Sequence, residues 1–175
     1  MLGVILAGGR SRRFGQDKAV ALLEGQRLID RVIAVLRPQV DDVIVAGRMM
    51  SGATCVADRP VPDLGPLGGL NAGLWHARTM GFEWVVSAPC DAPFLPNDLV
   101  TRLFEPRVPR FAATSPVIGC WPVSLADALD EHLATCPDRS MRFWASVTGA
   151  QSVDIGEMPN INTPADLRAV TPKPA

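Results

Sequence analysis

The residues with the clearest chemical potential sit in one early loop, Leu6-Ala7-Gly8-Gly9-Arg10-Ser11-Arg12-Arg13-Phe14-Gly15-Gln16-Asp17-Lys18. Three glycines, one serine and four cations share this segment. Glycine lets backbone amides approach phosphate oxygens, and arginine and lysine neutralise the charge. The composition suits a nucleoside triphosphate. It is not a Walker P-loop, because Lys18 lies three residues after Gly15 and is followed by Ala19 where a metal-binding hydroxyl belongs. Nor does it contain the dinucleotide fingerprint G-x-G-x-x-G. A glycine-rich turn with a solvated basic face is the plainer alternative.

Three further segments have chemical potential. In Ser87-Ala88-Pro89-Cys90-Asp91-Ala92-Pro93, an aspartate between two prolines ends an apolar strand. A carboxylate there suits Mg2+, which takes few protein carboxylates and fills its sphere with water and substrate phosphates. The same aspartate can equally stabilise a turn or cap a helix. Gly65-Pro66-Leu67-Gly68-Gly69 opens a helix whose amide N-terminus can face an anion, or is a simple loop-to-helix junction. In Pro159-Asn160-Ile161-Asn162-Thr163-Pro164, two asparagines one residue apart point the same way if extended. They can offer amide groups to a heteroaromatic ligand, or form a turn and helix cap.

The bulk numbers leave room for such a site within one domain. The 175 residues suffice for a single core, with 47% hydrophobic and 20% charged residues. A net charge of -1 excludes a counterion-release nucleic-acid binder. The first apolar run is too short for a signal segment, and no run approaches a membrane span. The four cysteines, Cys55, Cys90, Cys120 and Cys136, form no C-x-x-C pair, and read as reduced thiols of a cytoplasmic protein. His76 and His132 lie inside helical patterns with no positioned partner, so neither is read as catalytic.

The elements that must position these segments alternate between strand and helix. Leu2 to Ala7 is an all-apolar run, as for a strand buried on both faces. Helical spacing of Leu28, Ile29, Val32, Ile33, Val35 and Leu36 follows, stopped by Pro38. Strands are expected at Val43 to Ala46, Thr54 to Ala57 and Trp84 to Ala88. Between the last two lie a proline-rich loop, Arg59 to Pro66, and a helix marked by Leu67, Leu70, Leu74 and Ala77. Later, weaker patterns give a helix around Leu99 to Phe104, strands at Ala112 to Thr114 and Val117 to Trp121, and helices around Leu125 to Leu133 and Phe143 to Val147. A short last helix is expected from Pro164, capped by Thr163. The alternation predicts an α/β fold: a single three-layer α/β/α domain with a mostly parallel, Rossmann-like central sheet and ligands at the carboxyl ends of its strands. The expected domain is 1–170, with a nucleotide-binding half at about 1–105, a substrate half at about 106–170 and a frayed tail at 171–175.

Taken in order, the four segments resemble the molybdenum cofactor guanylyltransferases, within the glycosyltransferase-A-like nucleotidyltransferases. The resemblance spans nearly the whole chain. It rests most on Leu-Ala-Gly-Gly-x-Ser-x-Arg-x-Gly-x-Asp-Lys with Pro-Cys-Asp-x-Pro, and less on Gly-Pro-Leu-Gly-Gly and Asn-x-Asn-Thr-Pro. It implies transfer of GMP from GTP to the phosphate of molybdopterin-bound molybdenum, with release of pyrophosphate. By position, Leu6, Ala7, Gly8, Gly9 and Ser11 belong to the nucleotide site, Lys18 to its phosphates, and Asp58 to its nucleoside side. Asp91 then contacts both GTP and Mg2+, and Gly68, Asn160 and Asn162 serve the pterin substrate. One departure is visible: members often carry an asparagine contact after the second strand, where this chain has Val45-Ala46-Gly47-Arg48.

The mechanism expected is in-line attack by an anionic phosphate, which needs no general base, so charge and position are what the protein supplies. Arg13, Lys18 and Asp91 are the catalytic candidates, the first two neutralising pyrophosphate. Partners implied are GTP and molybdopterin, with transient contacts to cofactor-delivering proteins or molybdoenzymes. The alternatives are cytidylyl transfer or sugar-phosphate nucleotidyl transfer on the same fold, and a non-catalytic nucleotide-binding accessory protein.

Overall fold

The computed structural model describes residues 1–8, 21–156, 158 and 166. Gly9, Ser11, Arg13, Lys18, Asn160 and Asn162 lie outside them, as does the expected helix from Pro164, apart from Asp166.

β1 (Leu2–Leu6) is buried at every position, as its unbroken apolar run requires. It pairs in parallel with β4 (Asp42–Ala46) on one side and β6 (Trp84–Pro89) on the other, and β4 pairs in parallel with β5 (Thr54–Val56). A two-stranded ribbon, β2 (Leu22–Leu23) and β3 (Gln26–Arg27), leads into α1 (Leu28–Leu36). Beyond β6 the sheet changes sense. β8 (Ser115–Pro122) runs antiparallel to β6, β7 (Arg110–Ala112) antiparallel to β8, and β9 (Gln151–Val153) parallel to β7. The order is β5-β4-β1-β6-β8-β7-β9, seven strands in one mostly parallel sheet.

Side-chain alternation divides the core in two. Leu2, Val4 and Leu6 join Ile44, Val85 and Trp121 under α2 (Pro66–Thr79), α4 (Ala126–Thr135) and α5 (Met141–Val147). Ile5 and Ala7 join Val43, Val45 and Val86 under α1 and α3 (Leu99–Phe104). The three-layer expectation therefore holds. Each fully buried Leu, Ile or Val contributes about 1.5–3 kcal/mol by leaving water. α2 lies close on the sheet: a Cβ at Gly73 would fall 2.7 Å from Val4 Cγ2, and one at Gly69 2.9 Å from Leu6 Cδ2.

Pro38 stops α1 as expected, falling in the 3-10 turn Arg37–Gln39 that follows it. Pro66 occupies the first turn of α2, where its missing N–H costs nothing. Ser140 caps α5, its hydroxyl accepting from Phe143 N at 3.2 Å. The short β2–β3 ribbon and β9 are additions to what the sequence pattern predicts.

Candidate functional site

Strand register creates the site. Leu6 of β1 lies level with Ala46 of β4 and Pro89 of β6, and Ala46 lies level with Val56 of β5. Four neighbouring parallel strands thus end at one height. Backbone bonds just past the ends keep the exits together: Ala7 N donates to Ala46 O (2.9 Å), Gly47 N to Val56 O (2.9 Å) and Cys90 N to Leu6 O (3.1 Å). What leaves the sheet there is Ala7-Gly8, Gly47-Arg48, Ala57-Asp58 and Cys90-Asp91, side by side.

Two cavities open over this row. The larger, of about 420 Å³, is lined by Ala7, Gly8, Gly47, Arg48, Asp58 and Asp63, with Met49 and Pro62 at its wall. The second, of about 250 Å³, lies between Gly8, Asp58, Gly65, Pro66, Gly69 and Asp91, with Cys90 and Val117 alongside. Ala7, Gly8 and Asp58 belong to both. A base-sized, partly apolar space therefore adjoins a smaller one that holds a carboxylate and the N-terminus of a 14-residue helix, whose dipole favours an anion.

Close backbone packing shapes the shared wall. Gly47 has φ +83°, and a Cβ there would lie 2.5 Å from Gly8 Cα and 2.8 Å from Asp58 Oδ1. Only glycine fits both the conformation and the space. Asp58 Oδ1 is buried with no hydrogen-bond partner among the described residues. Burial first, and then the charge of Asp63, raise the Asp58 carboxyl above its ordinary range. An acceptor held in this way is prepared for a ligand's N–H or O–H.

Of the residues singled out from sequence, Leu6, Ala7, Gly8, Asp58 and Asp91 are brought together at the two cavities. Gly68 is placed differently: it is buried beneath Leu64 and Asp58, with Leu64 Cβ 3.0 Å from where its own Cβ would stand, and its neighbour Gly69 lines the second cavity. Sequence reasoning missed Gly47, Met49 and Asp63, and gave Arg48 no role. A glycine directly after each of two apolar strands, Gly8 and Gly47, was the available signal. The histidines stay outside. His132 is buried, with Nε2 3.0 Å from Asp138 O and its ring stacked 5.7 Å from Phe143, and neither cavity is lined by histidine. Cys120 is a packing residue, its thiol pushed up to about 12 mainly by burial.

The family described as MobA-like NTP transferase domain matches residues 3–151. A molybdenum cofactor guanylyltransferase of Nitrobacter hamburgensis is 40% identical over 189 residues, spanning 94% of this chain and 90% of the relative. One of Yersinia pestis is 37% identical over 181 residues, spanning 94% and 91%. The chain belongs to the molybdenum cofactor guanylyltransferase family. It is a nucleotidyltransferase.

Solved structures place the guanylyltransferase chain in the same fold. Molybdopterin-guanine dinucleotide biosynthesis protein A from Archaeoglobus fulgidus superposes with a TM-score of 0.78 at 21% identity, covering 97% of this chain and 96% of the other. A CMP:2-keto-3-deoxy-manno-octonic acid synthetase solved with CTP superposes with a TM-score of 0.72 at 15% identity, covering 97% and 95%. These likenesses are of fold.

Proposed function

We propose that this chain transfers GMP from GTP to the terminal phosphate of molybdopterin-bound molybdenum, forming a guanine dinucleotide cofactor and releasing pyrophosphate. The observation that carries the reading is the pair of cavities meeting at Gly8 and Asp58, with Asp91 in the second. Guanine and ribose occupy the larger cavity, where Ala7, Gly8 and Asp58 face the nucleoside, and Leu6 joins the nucleotide site from the adjoining smaller one. The phosphates run from Gly8 towards Asp91, with Gly9, Ser11 and Lys18 assigned as their ligands. The half at 1–105 holds GTP, and the half at 106–170 presents the pterin, with Asn160 and Asn162 as its contacts.

Asp91 suits Mg2+: its hard oxygens line a cavity large enough to admit phosphate and water oxygens, and Mg2+ takes few protein carboxylates. When bound, the ion supplies charge neutralisation at the phosphate oxygens. Asp91 fixes where that charge stands, and Arg13 and Lys18 neutralise the departing pyrophosphate. The attacking phosphate is already an anion, so no side chain need remove a proton. A charge pair at 4 Å is worth about 4 kcal/mol at an effective dielectric near 20, so removing Lys18 is expected to slow turnover by about a hundredfold or more. Near-normal turnover of Lys18→Ala or Asp91→Ala would end this assignment.

No helix among the described residues is long and apolar enough to cross a membrane. The cytoplasm, with its GTP and reduced thiols, is the proposed setting, and cofactor-delivering proteins or molybdoenzymes the proposed transient partners. Calorimetric titration with GTP, CTP, ATP and UTP in the presence of Mg2+ tests the base: GTP binds tightest, and a preference for CTP would replace guanylyl with cytidylyl transfer.

A further inference from the structure

Asp58 contributes the carboxylate that joins the two cavities, yet its Oδ1 has no partner among the described residues to hold it. Its position comes from the residue that follows. Arg59 N donates to Gly68 O (3.1 Å), and Asn71 Nδ2 of α2 donates to Arg59 O (3.3 Å). The Arg59 guanidinium then reaches α4, where Nη2 donates to Asp130 Oδ2 at 2.8 Å and Nε approaches both carboxylate oxygens at 3.3 Å. It also lies 4.1 Å from the ring centre of Trp75. Asn71 is fully buried, and its Nδ2 donates to Asp130 Oδ1 as well. Asp130 is therefore the common acceptor for the Arg59 guanidinium and for Asn71, the side chain that holds the Arg59 carbonyl. It lines neither cavity.

We propose that Asp130 is a positioning residue for nucleotide binding: from α4 it fixes Arg59 and Asn71, and through them it sets the Asp58 carboxylate between the two cavities. The inference rests on the nucleoside role proposed for Asp58. A group that acts through a ground-state nucleoside contact changes Kd and KM for GTP and leaves kcat largely alone. A clamp that serves only the fold lowers the melting temperature and leaves Kd where it was. A neighbouring pair provides the control. Asp127, on the same face of α4, accepts from Arg78 of α2 at 3.0 and 2.9 Å and joins the same two helices without gripping the Asp58 segment.

The test is a double-mutant cycle on the full chain with GTP and Mg2+, read by calorimetric Kd, KM, kcat and melting temperature. Asp130→Ala is expected to raise Kd and KM by about tenfold with kcat within about twofold, whereas Asp127→Ala leaves Kd unchanged. In an Asp58→Asn background, Asp130→Ala adds no further loss, because the group it positions is gone. Should Asp130→Ala fail to fold, Arg59→Gln releases the same clamp from a side chain that is 43% exposed and reproduces the rise in Kd. A lower melting temperature with unchanged Kd overturns the proposal, as do losses from Asp58→Asn and Asp130→Ala that simply multiply. Asp58→Asn with wild-type affinity would remove the nucleoside role and this inference together. If the wild type prefers another nucleotide, the cycle run with that nucleotide still judges the clamp by the same criteria.

Discussion

Asp58 gains nothing for the folded chain by its placement. Its carboxyl is raised above the ordinary value first by burial and then by Asp63, so between the unfolded and folded values the native state binds more protons than the unfolded one. Stability is then lost as pH rises through that window. Asp58→Asn is therefore expected to raise the melting temperature of the nucleotide-free protein at pH above that window, while weakening GTP binding by about tenfold or more. Differential scanning calorimetry with a matched GTP titration checks both, and a variant that melts lower would contradict the burial argument. GTP affinity should also fall on acidification through the raised value, and Asp58→Asn should lack that limb of the profile. Gly47 is the second test at this scale. An alanine there must adopt φ +83° against Gly8 Cα, so Gly47→Ala should cost about 2 kcal/mol or more of stability in denaturant titration and weaken nucleotide binding. Leu6 to Gly8 and Asp91 were legible in the sequence because they lie at or just past the ends of readable apolar strands. Asp58 entered only through resemblance. Arg48 and Asp63 were not legible, because only the level ends of β1, β4 and β5 bring them to the same cavity.

At the scale of elements, α2 does most to organise the site. Its sequence reads as an apolar stripe of Leu67, Leu70, Leu74 and Ala77, yet everything from Leu67 to Leu74 is buried, Asn71 included. The sheet covers one side and α4 the other, and that second cover depends on Asp130, remote in sequence from α2, and on Arg59 in the loop before it. No local periodicity contains that information. Leu70→Ala should cost about 2–5 kcal/mol in equilibrium unfolding, since the packed surroundings collapse only partly around the missing methyls. A loss below about 1 kcal/mol would show a looser core than this one. Strand direction was equally hidden: β8 has the same apolar signature in either sense, and its antiparallel pairing with β6 is decided by the short return through β7. The three residues of β9 are too few for a two-residue period to register.

For the whole molecule, one sheet carries both functions. The parallel strands β5, β4, β1 and β6 end together and furnish the two cavities, while β8, β7 and β9 continue the same sheet towards the proposed substrate half. A net charge of -1 leaves the field of the whole protein too weak to hold a triphosphate, so the proposed site must rely on local groups. The central claim is guanylyl transfer, and the most direct measurement is pyrophosphate release when the protein, Mg2+ and molybdopterin-bound molybdenum cofactor are mixed in turn with GTP, CTP, ATP and UTP. Release from GTP at least about tenfold faster than from the other three, and dependent on the cofactor, is the predicted result. Binding of GTP without release would make the chain a carrier, and faster release from CTP would make it a cytidylyltransferase; either contradicts the claim.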